Sequence, residues 1–128
     1  MKTTTFVKHL LVAGFILVGN LSISAARPNN DFVYNTEEVN GMKVSETVYK
    51  MERGFLTNFQ KYNYKYNEDR QVTENILQRW DAEQNKWRND MCIKYVYTGN
   101  AVTIHYYRWN NTKKEFILQP RMTATMNN

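Results

Sequence analysis

The chain has 128 residues, of which 42% are hydrophobic, a formal net charge of +5 and one cysteine. One cysteine excludes an intramolecular disulfide, and one histidine beyond residue 26 leaves too few ligands for a zinc site. The charge is too modest for the dense basic patch of a nucleic-acid-binding protein. We therefore expect no nucleic acid partner, no metal and no cofactor.

Residues 1–26 have the features of a secretory signal peptide. Lys2 and Lys8 form a positive region, Leu10 to Val18 is apolar, and small residues close the segment. The apolar run is too short to span a bilayer, so we expect cleavage and no stable membrane insertion. The mature chain would be residues 27–128, a single β-rich domain in the periplasm or outside the cell, with a formal charge of +3.

The mature chain is rich in tyrosine, threonine, valine and tryptophan, which favour strands. Asn40-Gly41 predicts a two-residue type I′ hairpin turn. The predicted strands are 32–39, 42–51, 55–66, 71–80, 87–98, 101–109 and 115–123. Short turns between successive strands indicate antiparallel pairing. The sequence therefore predicts an all-β fold, a single antiparallel meander of six or seven strands built from repeated hairpins and curled over one apolar face.

An internal repeat supports this interpretation. Arg79-Trp80 is followed by Trp87, and about thirty residues later Arg108-Trp109 is followed by Phe116 with the same spacing. Repeats this short usually copy one supersecondary unit, here a β-hairpin.

Turn positions predict the pairing of strands. Pairing Trp80 with Trp87 places Ile76 opposite Met91, and a two-residue turn at Gly99-Asn100 places Tyr95 opposite Ile104. Together the two registers predict one apolar face, formed by Val72, Ile76, Trp80, Trp87, Met91, Ile93, Tyr95, Tyr97, Val102, Ile104 and Tyr106. Glu74, Gln78 and Asn89 do not fit this face, which indicates either a nearby open edge or a bulge in the first register.

The direction of Trp109 stays open at this point. Val72 and Trp80 are eight positions apart, whereas Val102 and Trp109 are seven apart, and a strand alternates faces with a period of two. Either a bulge near Tyr106-Tyr107 restores the direction of Trp109, or Trp109 points away from the apolar face.

The candidate ligand-binding residues are His105, Tyr107, Arg108 and Trp109. Without a bulge, these residues would combine exposed aromatic rings with polar donors, a combination that suits a sugar ring or an extended peptide. His105 would lie opposite Lys94 and diagonal to Cys92. A Cys–His pair is the minimum for thiol catalysis, but nothing in the sequence supplies an oxyanion hole. We therefore predict no catalytic residues and a protein that is not an enzyme. Cys92 is expected to be a small, buried or half-buried and inert residue, and an intermolecular disulfide is the other possibility.

Three motifs resemble a known family: Val33 to Gly41, then Thr47-Val48-Tyr49-Lys50, then Arg79-Trp80-Asp81 leading to Asn85-Lys86-Trp87. With the signal peptide, they resemble domain-of-unknown-function family 3836, small exported proteins of Bacteroides. The resemblance implies an exported β-rich protein and brings no activity with it. We expect a non-catalytic binding or interaction protein whose partner is a glycan or another protein. The alternatives are a structural or assembly partner that uses edge-strand addition, and a small hydrolase. Neither the ligand nor the oligomeric state follows from the sequence.

Overall fold

The protein is described by a computed structural model that covers residues 9–10, 16–17 and 31–127. Two short strands, β1 (His9–Leu10) and β2 (Ile16–Leu17), belong to the predicted signal peptide. The rest of that segment and its cleavage point lie outside the described residues, so the signal peptide stays a prediction.

Strands make up nearly all of the remaining described chain. They are β3 (Phe32–Val39), β4 (Met42–Glu52), β5 (Phe55–Tyr66), β6 (Val72–Asp81), β7 (Lys86–Thr98), β8 (Ala101–Asn110), β9 (Glu115–Leu118) and β10 (Ala124–Asn127). Hydrogen-bonded neighbours follow the order β1-β3-β4-β5-β6-β7-β8-β10, and in addition β2 pairs with β3 and β9 with β8. The predicted all-β antiparallel meander is confirmed.

The last predicted strand, 115–123, is wrong as one element. Pro120 has no backbone N–H and a fixed φ, and Pro120–Met122 forms a 3₁₀ turn that ends β9 at Leu118. The chain then resumes as β10, so β8 pairs along one side with β9 and with β10 in succession.

The chain divides into two compact units, Met1–Lys61 and Tyr62–Asn128, with the boundary inside β5. In the first unit, Val39 pairs with Met42 across the predicted Asn-Gly turn. Asn40 and Gly41 have φ values of 52° and 76°, as a type I′ turn requires, so this turn is confirmed. Opposed residues share a face, so Val33 and Val48, each 3% exposed, are buried on opposite faces of this hairpin.

In the second unit, the predicted pairing of β7 with β8 is confirmed along its length, including Tyr95 opposite Ile104. The predicted pairing of β6 with β7 is correct only near the turn, where Trp80 faces Trp87. The register shifts between Leu77 and Gln78, where β7 holds one extra residue, Asp90. Beyond this bulge Ile76 lies opposite Cys92, and the prediction that it faces Met91 is wrong.

The bulge divides the predicted apolar face into two. Four of its members lie on the face that carries Cys92, and seven lie on the opposite face. The first surface, here called the Cys92 face, carries Val72, Ile76, Trp80, Trp87 and Cys92. The second, here called the Ile104 face, carries Met91, Ile93, Tyr95, Tyr97, Val102, Ile104 and Tyr106. The single apolar face is therefore wrong, and of the two alternatives the bulge in the first register is present. The three polar residues that did not fit, Glu74, Gln78 and Asn89, lie on the Cys92 face.

Candidate functional site

Two hairpins of the second unit end in the same kind of turn. In the first, Asp81 Oδ1 accepts hydrogen bonds from the backbone N–H groups of Glu83 and Gln84, both at 3.0 Å. In the second, Asn110 Oδ1 accepts hydrogen bonds from the N–H groups two and three residues further on, at 3.0 and 2.8 Å. A short polar side chain that bonds the following amides stabilises such a turn locally. The sequence repeat is therefore a repeated hairpin.

Each of these turns also contains one residue in the left-handed region. Asn85 has a φ of 54° in the first turn, and Lys114 has a φ of 56° at the equivalent position of the second. Asparagine is enriched in this conformation because its short side chain bonds locally, whereas lysine has no such advantage.

Each hairpin carries a pair of aromatic rings that contact each other across its two strands, next to the turn. The ring centroids of Trp80 and Trp87 are 5.1 Å apart, and those of Trp109 and Phe116 are 4.9 Å apart, both in edge-to-face geometry. This geometry is the favoured one for aromatic pairs. The register of β8 is continuous with both β7 and β9, so the bulge considered near Tyr106 is wrong. Trp109 therefore points to the Cys92 face, the same face as Trp87.

An open depression of about 240 Å³ lies where the two hairpins end. Two tryptophans, Trp87 and Trp109, and the amide side chains of Gln78, Asn89 and Asn111 contribute to its lining. We call it the Trp87–Trp109 depression. Aromatic rings beside amide groups form a surface that is apolar in part and offers hydrogen bonds at fixed positions.

The amides of the depression belong to a chain of hydrogen bonds across three strands. Asn63 Nδ2 on β5 donates to Gln78 Oε1 on β6 at 3.1 Å, and Gln78 Nε2 donates to Asn89 Oδ1 on β7 at 3.1 Å. At the second turn, Asn111 Oδ1 accepts a hydrogen bond from Lys114 Nζ at 3.3 Å. These bonds hold the amides in fixed orientations.

Lys86, Arg88 and Lys114 also belong to the lining. By strand alternation the side chains of Lys86 and Arg88 point to the Ile104 face, opposite Trp87. Arg88 Nη1 lies 2.8 Å from Asp81 Oδ2. The backbone hydrogen bond from Gln84 to Asp81 holds the pKa of that carboxyl below its ordinary value, and the Arg88 guanidinium acts in the same direction against the effect of desolvation. Within the described residues, neither Lys86 nor Lys114 forms an ion pair.

The structure separates the four residues predicted to bind a ligand. His105, Tyr107 and Trp109 alternate along β8 on the Cys92 face, whereas Arg108 lies on the Ile104 face. There Arg108 Nη1 is 3.6 Å from Asp90 Oδ1. Of the four, only Trp109 lines the depression.

His105 and Tyr107 lie further along the Cys92 face. Lys94 is directly opposite His105, as predicted, and its Nζ lies 5.3 Å from the centroid of the Tyr107 ring. His105 Nδ1 is buried and has no hydrogen-bond partner.

Sequence reasoning missed the other half of the depression, including Trp87, Asn89, Lys86 and Lys114. The sequence carried no signal for them, because the repeat aligns Trp87 with Phe116 and Lys86 with Glu115 and does not bring Trp87 near Trp109. These residues were missed because the bulge at Asp90 is what places Trp87 and Trp109 on the same face of the sheet, and the predicted register did not contain it.

Cys92, which the sequence predicts to be inert, is buried at 1% exposure. It lies opposite Tyr107 and diagonal to His105. Burial raises the pKa of the Cys92 thiol, and the negative charge of Glu74 raises it further. The thiolate, which is the reactive form, is therefore disfavoured at this position.

The composition and the helices of the described residues bear on metal binding and on membrane crossing. These residues contain no group of three or more histidine, cysteine, aspartate or glutamate side chains that would hold a metal ion. They also contain no helix long and apolar enough to cross a membrane.

Three solved structures resemble the chain. A DUF3836 family protein from Bacteroides vulgatus is 51% identical, with a TM-score of 0.73 over 75% of this chain and 98% of that one. A DUF3836 family protein from Parabacteroides distasonis is 30% identical, with a TM-score of 0.67 over 76% of this chain and 90% of that one. A protein with unknown function from Bacteroides fragilis is 25% identical, with a TM-score of 0.64 over 69% of this chain and 66% of that one.

A search of the curated proteins finds no match to the chain. The family model described as "Family of unknown function (DUF3836)" matches residues 1–127. This match and the two DUF3836 structures confirm the resemblance inferred from the sequence motifs. The chain belongs to the DUF3836 family.

Proposed function

We propose that the protein is an exported, non-catalytic binding protein and that a glycan occupies the Trp87–Trp109 depression. The observation that carries the proposal is the pair of tryptophans on one face beside the amides of Gln78, Asn89 and Asn111. Sugar rings have apolar faces that stack on aromatic rings and hydroxyl groups that bond to amides.

The size and shape of the depression suit a carbohydrate chain better than a compact metabolite. Its volume of about 240 Å³ lies below that of enclosed small-molecule pockets, which begin near ~300 Å³. An open depression leaves room for neighbouring sugar units to continue along the surface. One or two units would contact the tryptophans.

The non-catalytic role is supported by the surroundings of Cys92 and His105, the two side chains that were considered for thiol catalysis. The raised pKa of the Cys92 thiol and its burial work against nucleophilic attack. His105 lies diagonal to Cys92 across strand centres, where backbone N–H groups take part in the ladder between β7 and β8. Export rests on the signal-peptide features of residues 1–26.

The experiment is a screen of the mature chain, residues 27–128, against immobilised polysaccharides, comparing the wild type with Trp109→Ala. Stacking of a nucleobase on one aromatic ring contributes about 1–3 kcal/mol, and we take the same range for a sugar ring, so the variant should bind about 5- to 150-fold more weakly. Phe55→Ala is the matched control, because Phe55 is a 73% exposed aromatic residue of the other unit. Equal binding by the wild type and Trp109→Ala would contradict the proposed site.

A second candidate function, as an assembly partner, rests on strand β3. One side of β3 pairs with β4, and the other side pairs with β1 and β2. Both of these short strands belong to residues 1–26, so cleavage of the signal peptide would remove them. The outer edge of β3 would then be open to another strand.

Light scattering of the mature chain over a wide concentration range tests this candidate. A concentration-dependent oligomer would support edge-strand addition. A monomer at every concentration, together with retention by polysaccharide, would leave glycan binding as the only proposed role.

A further inference from the structure

We infer that the ligand of the Trp87–Trp109 depression is a neutral glycan, whose sugar units carry hydroxyl groups and neither carboxylate nor sulfate. This inference rests on the proposed function and adds the class of ligand. It depends on two observations, namely the face of the sheet on which charge lies and the hydrogen bonds that the amides of the depression still offer.

Charge is confined to one face of the sheet where the strands β6 to β9 approach the two turns. Side chains alternate between the faces in the registers that join these strands. At these strand ends the Ile104 face carries Arg79, Asp81, Lys86, Arg88, Arg108 and Glu115. The Cys92 face carries aromatic and amide side chains there, namely Gln78, Trp80, Trp87, Asn89, Trp109 and Phe116. A ligand that lies on the tryptophans therefore meets an uncharged surface.

Ion pairs within the protein hold the arginines of the Ile104 face. Asp90, the extra residue of the bulge, lies 2.8 Å from Arg79 Nε through its Oδ2 and 3.6 Å from Arg108 Nη1 through its Oδ1. Asp81 Oδ2 lies 2.8 Å from Arg88 Nη1. Since Arg79 and Arg108 are both on the Ile104 face, the Asp90 carboxylate also reaches that face and not the tryptophans.

Lys114 is the remaining cation of the lining, and it lies in the second turn. It is exposed, and its Nζ donates a hydrogen bond to Asn111 Oδ1 at 3.3 Å. Water and salt screen an exposed ammonium group, so one such cation adds little selectivity for an anion.

The amides of the depression offer both donors and acceptors. A carboxamide oxygen accepts two hydrogen bonds and its NH₂ group donates two. Among the described residues, the side-chain oxygens of Gln78, Asn89 and Asn111 each accept one bond, from Asn63, Gln78 and Lys114 in turn. Each oxygen therefore keeps one position for a further donor. The NH₂ groups keep one N–H on Gln78, which donates to Asn89, and two on each asparagine.

A sugar hydroxyl matches this mixture, because it also both donates and accepts. One hydroxyl can donate to the oxygen of one amide and accept from the NH₂ group of another. Carboxylate and sulfate groups only accept, so they leave the amide oxygens without a donor. An anion that leaves water for an uncharged surface also loses hydration without gaining an opposite charge. The depression therefore favours neutral sugar units.

The test uses two pairs of polymers in which one member is charged and the other neutral. They are dextran sulfate with dextran, and polygalacturonate with its fully methyl-esterified form. Affinity chromatography of the mature chain on each immobilised polymer measures retention at about 0.01 M and about 1 M salt, between which the Debye length falls from about 30 Å to about 3 Å. At least one neutral polymer should retain the wild type equally at both salt concentrations. At the higher one its charged partner should retain the protein no more strongly.

Two matched pairs of variants test the amides. Asn111→Ala removes an amide of the depression from an exposed turn, and Thr112→Ala truncates the next residue of that turn, which does not line the depression. Asn111→Ala should bind the neutral polymer about 2- to 13-fold more weakly, which is the effect of one lost hydrogen bond, and Thr112→Ala should bind as the wild type does. Asn89→Leu should weaken binding in the same way, whereas Lys86→Gln, on the Ile104 face, should not.

The outcomes distinguish this inference from the proposed function. Stronger retention by a charged polymer than by its neutral partner at about 1 M salt, lost in Trp109→Ala, would overturn the neutral ligand and keep glycan binding. Equal retention of the wild type, Asn111→Ala and Asn89→Leu by a neutral polymer would also overturn the inference, because the amides would then not bond to hydroxyl groups. Retention by no polymer at the higher salt concentration would overturn it together with the proposed function, and a protein ligand would become the remaining binding role.

Discussion

Deleting Asp90 from β7 should leave both faces of the sheet in place, whereas deleting Lys94 from the same strand should not. Asp90 is the extra residue of the bulge, and its neighbours Met91 and Asn89 already face successive residues of β6. Removing Asp90 therefore produces a regular strand without changing any pairing. Lys94 faces Glu74 on one side and His105 on the other, so its removal forces one part of β7 to slip by one position.

The two deletions should differ by about 2 kcal/mol or more in the free energy of unfolding. Without Asp90 the chain loses ion pairs to Arg79 at 2.8 Å and Arg108 at 3.6 Å, and both arginines are exposed. Each such pair contributes at most about 1 kcal/mol. Removing the bulge also restores regular pairing, which offsets part of the loss. The net cost should be about 1 kcal/mol.

Without Lys94, a slip of the following segment moves Tyr95 and Tyr97 to the wrong face. Both rings are partly exposed, so each loses burial of about 1 kcal/mol. The hydrogen bond from the Tyr97 hydroxyl to the Val72 carbonyl, 2.7 Å long, adds about 1 kcal/mol. The cost should be about 3 kcal/mol, a large part of the stability of a small domain.

Urea denaturation followed by tryptophan fluorescence measures both costs, with Asp90→Ala as the control that removes the ion pairs and keeps the bulge. Deletion of Asp90 and Asp90→Ala should have similar midpoints, and deletion of Lys94 should unfold at a much lower urea concentration. Equal losses from the two deletions would refute the register argument and with it the assignment of Trp87 to the Cys92 face.

Three further substitutions or measurements test other features of the second unit. The pKa of Asp81 in the folded protein is lower than its ordinary value of 3.8. The Asp81 carboxylate therefore stabilises the fold above pH 3.8, and this stabilisation is lost as the pH falls through the lowered pKa. Asp81→Asn should make the loss of stability with falling pH less steep, and an unchanged pH dependence would contradict this. Tyr97→Phe should cost about 1 kcal/mol by leaving the Val72 carbonyl without its donor, and an unchanged urea midpoint would show that the bond contributes nothing. Cys92 should react with a thiol reagent only when the chain opens, so its labelling rate should rise with urea, and rapid labelling of the native protein would disprove its burial.

Strand positions were predictable from the sequence because the turns carry strong local signals. Asn40-Gly41 fixes the first hairpin, and Gly99-Asn100 fixes the pairing of Tyr95 with Ile104. Near a turn, the pairing of strands follows from the turn itself, so Trp80 opposite Trp87 was also correct. The interruption at Pro120 was visible in principle, because proline seldom continues a strand.

The bulge at Asp90 was not predictable from alternation. Arg88, Asn89 and Asp90 are all polar, so this part of β7 has no apolar residue to show which face each position takes. The candidate site depended on that one residue. Trp109 was identified, but the position of Trp87 beside the same depression followed only from the structure.

The left-handed conformation of Lys114 has a consequence for engineering this protein. A residue with a side chain costs about 1 kcal/mol in that conformation relative to glycine, and asparagine takes the equivalent position in the first turn. Optimisation for heat resistance alone would replace Lys114 with glycine. The same replacement would delete the ammonium group that donates to Asn111 Oδ1 at 3.3 Å, so a more heat-resistant variant of this turn would leave the Asn111 amide less firmly oriented at the depression.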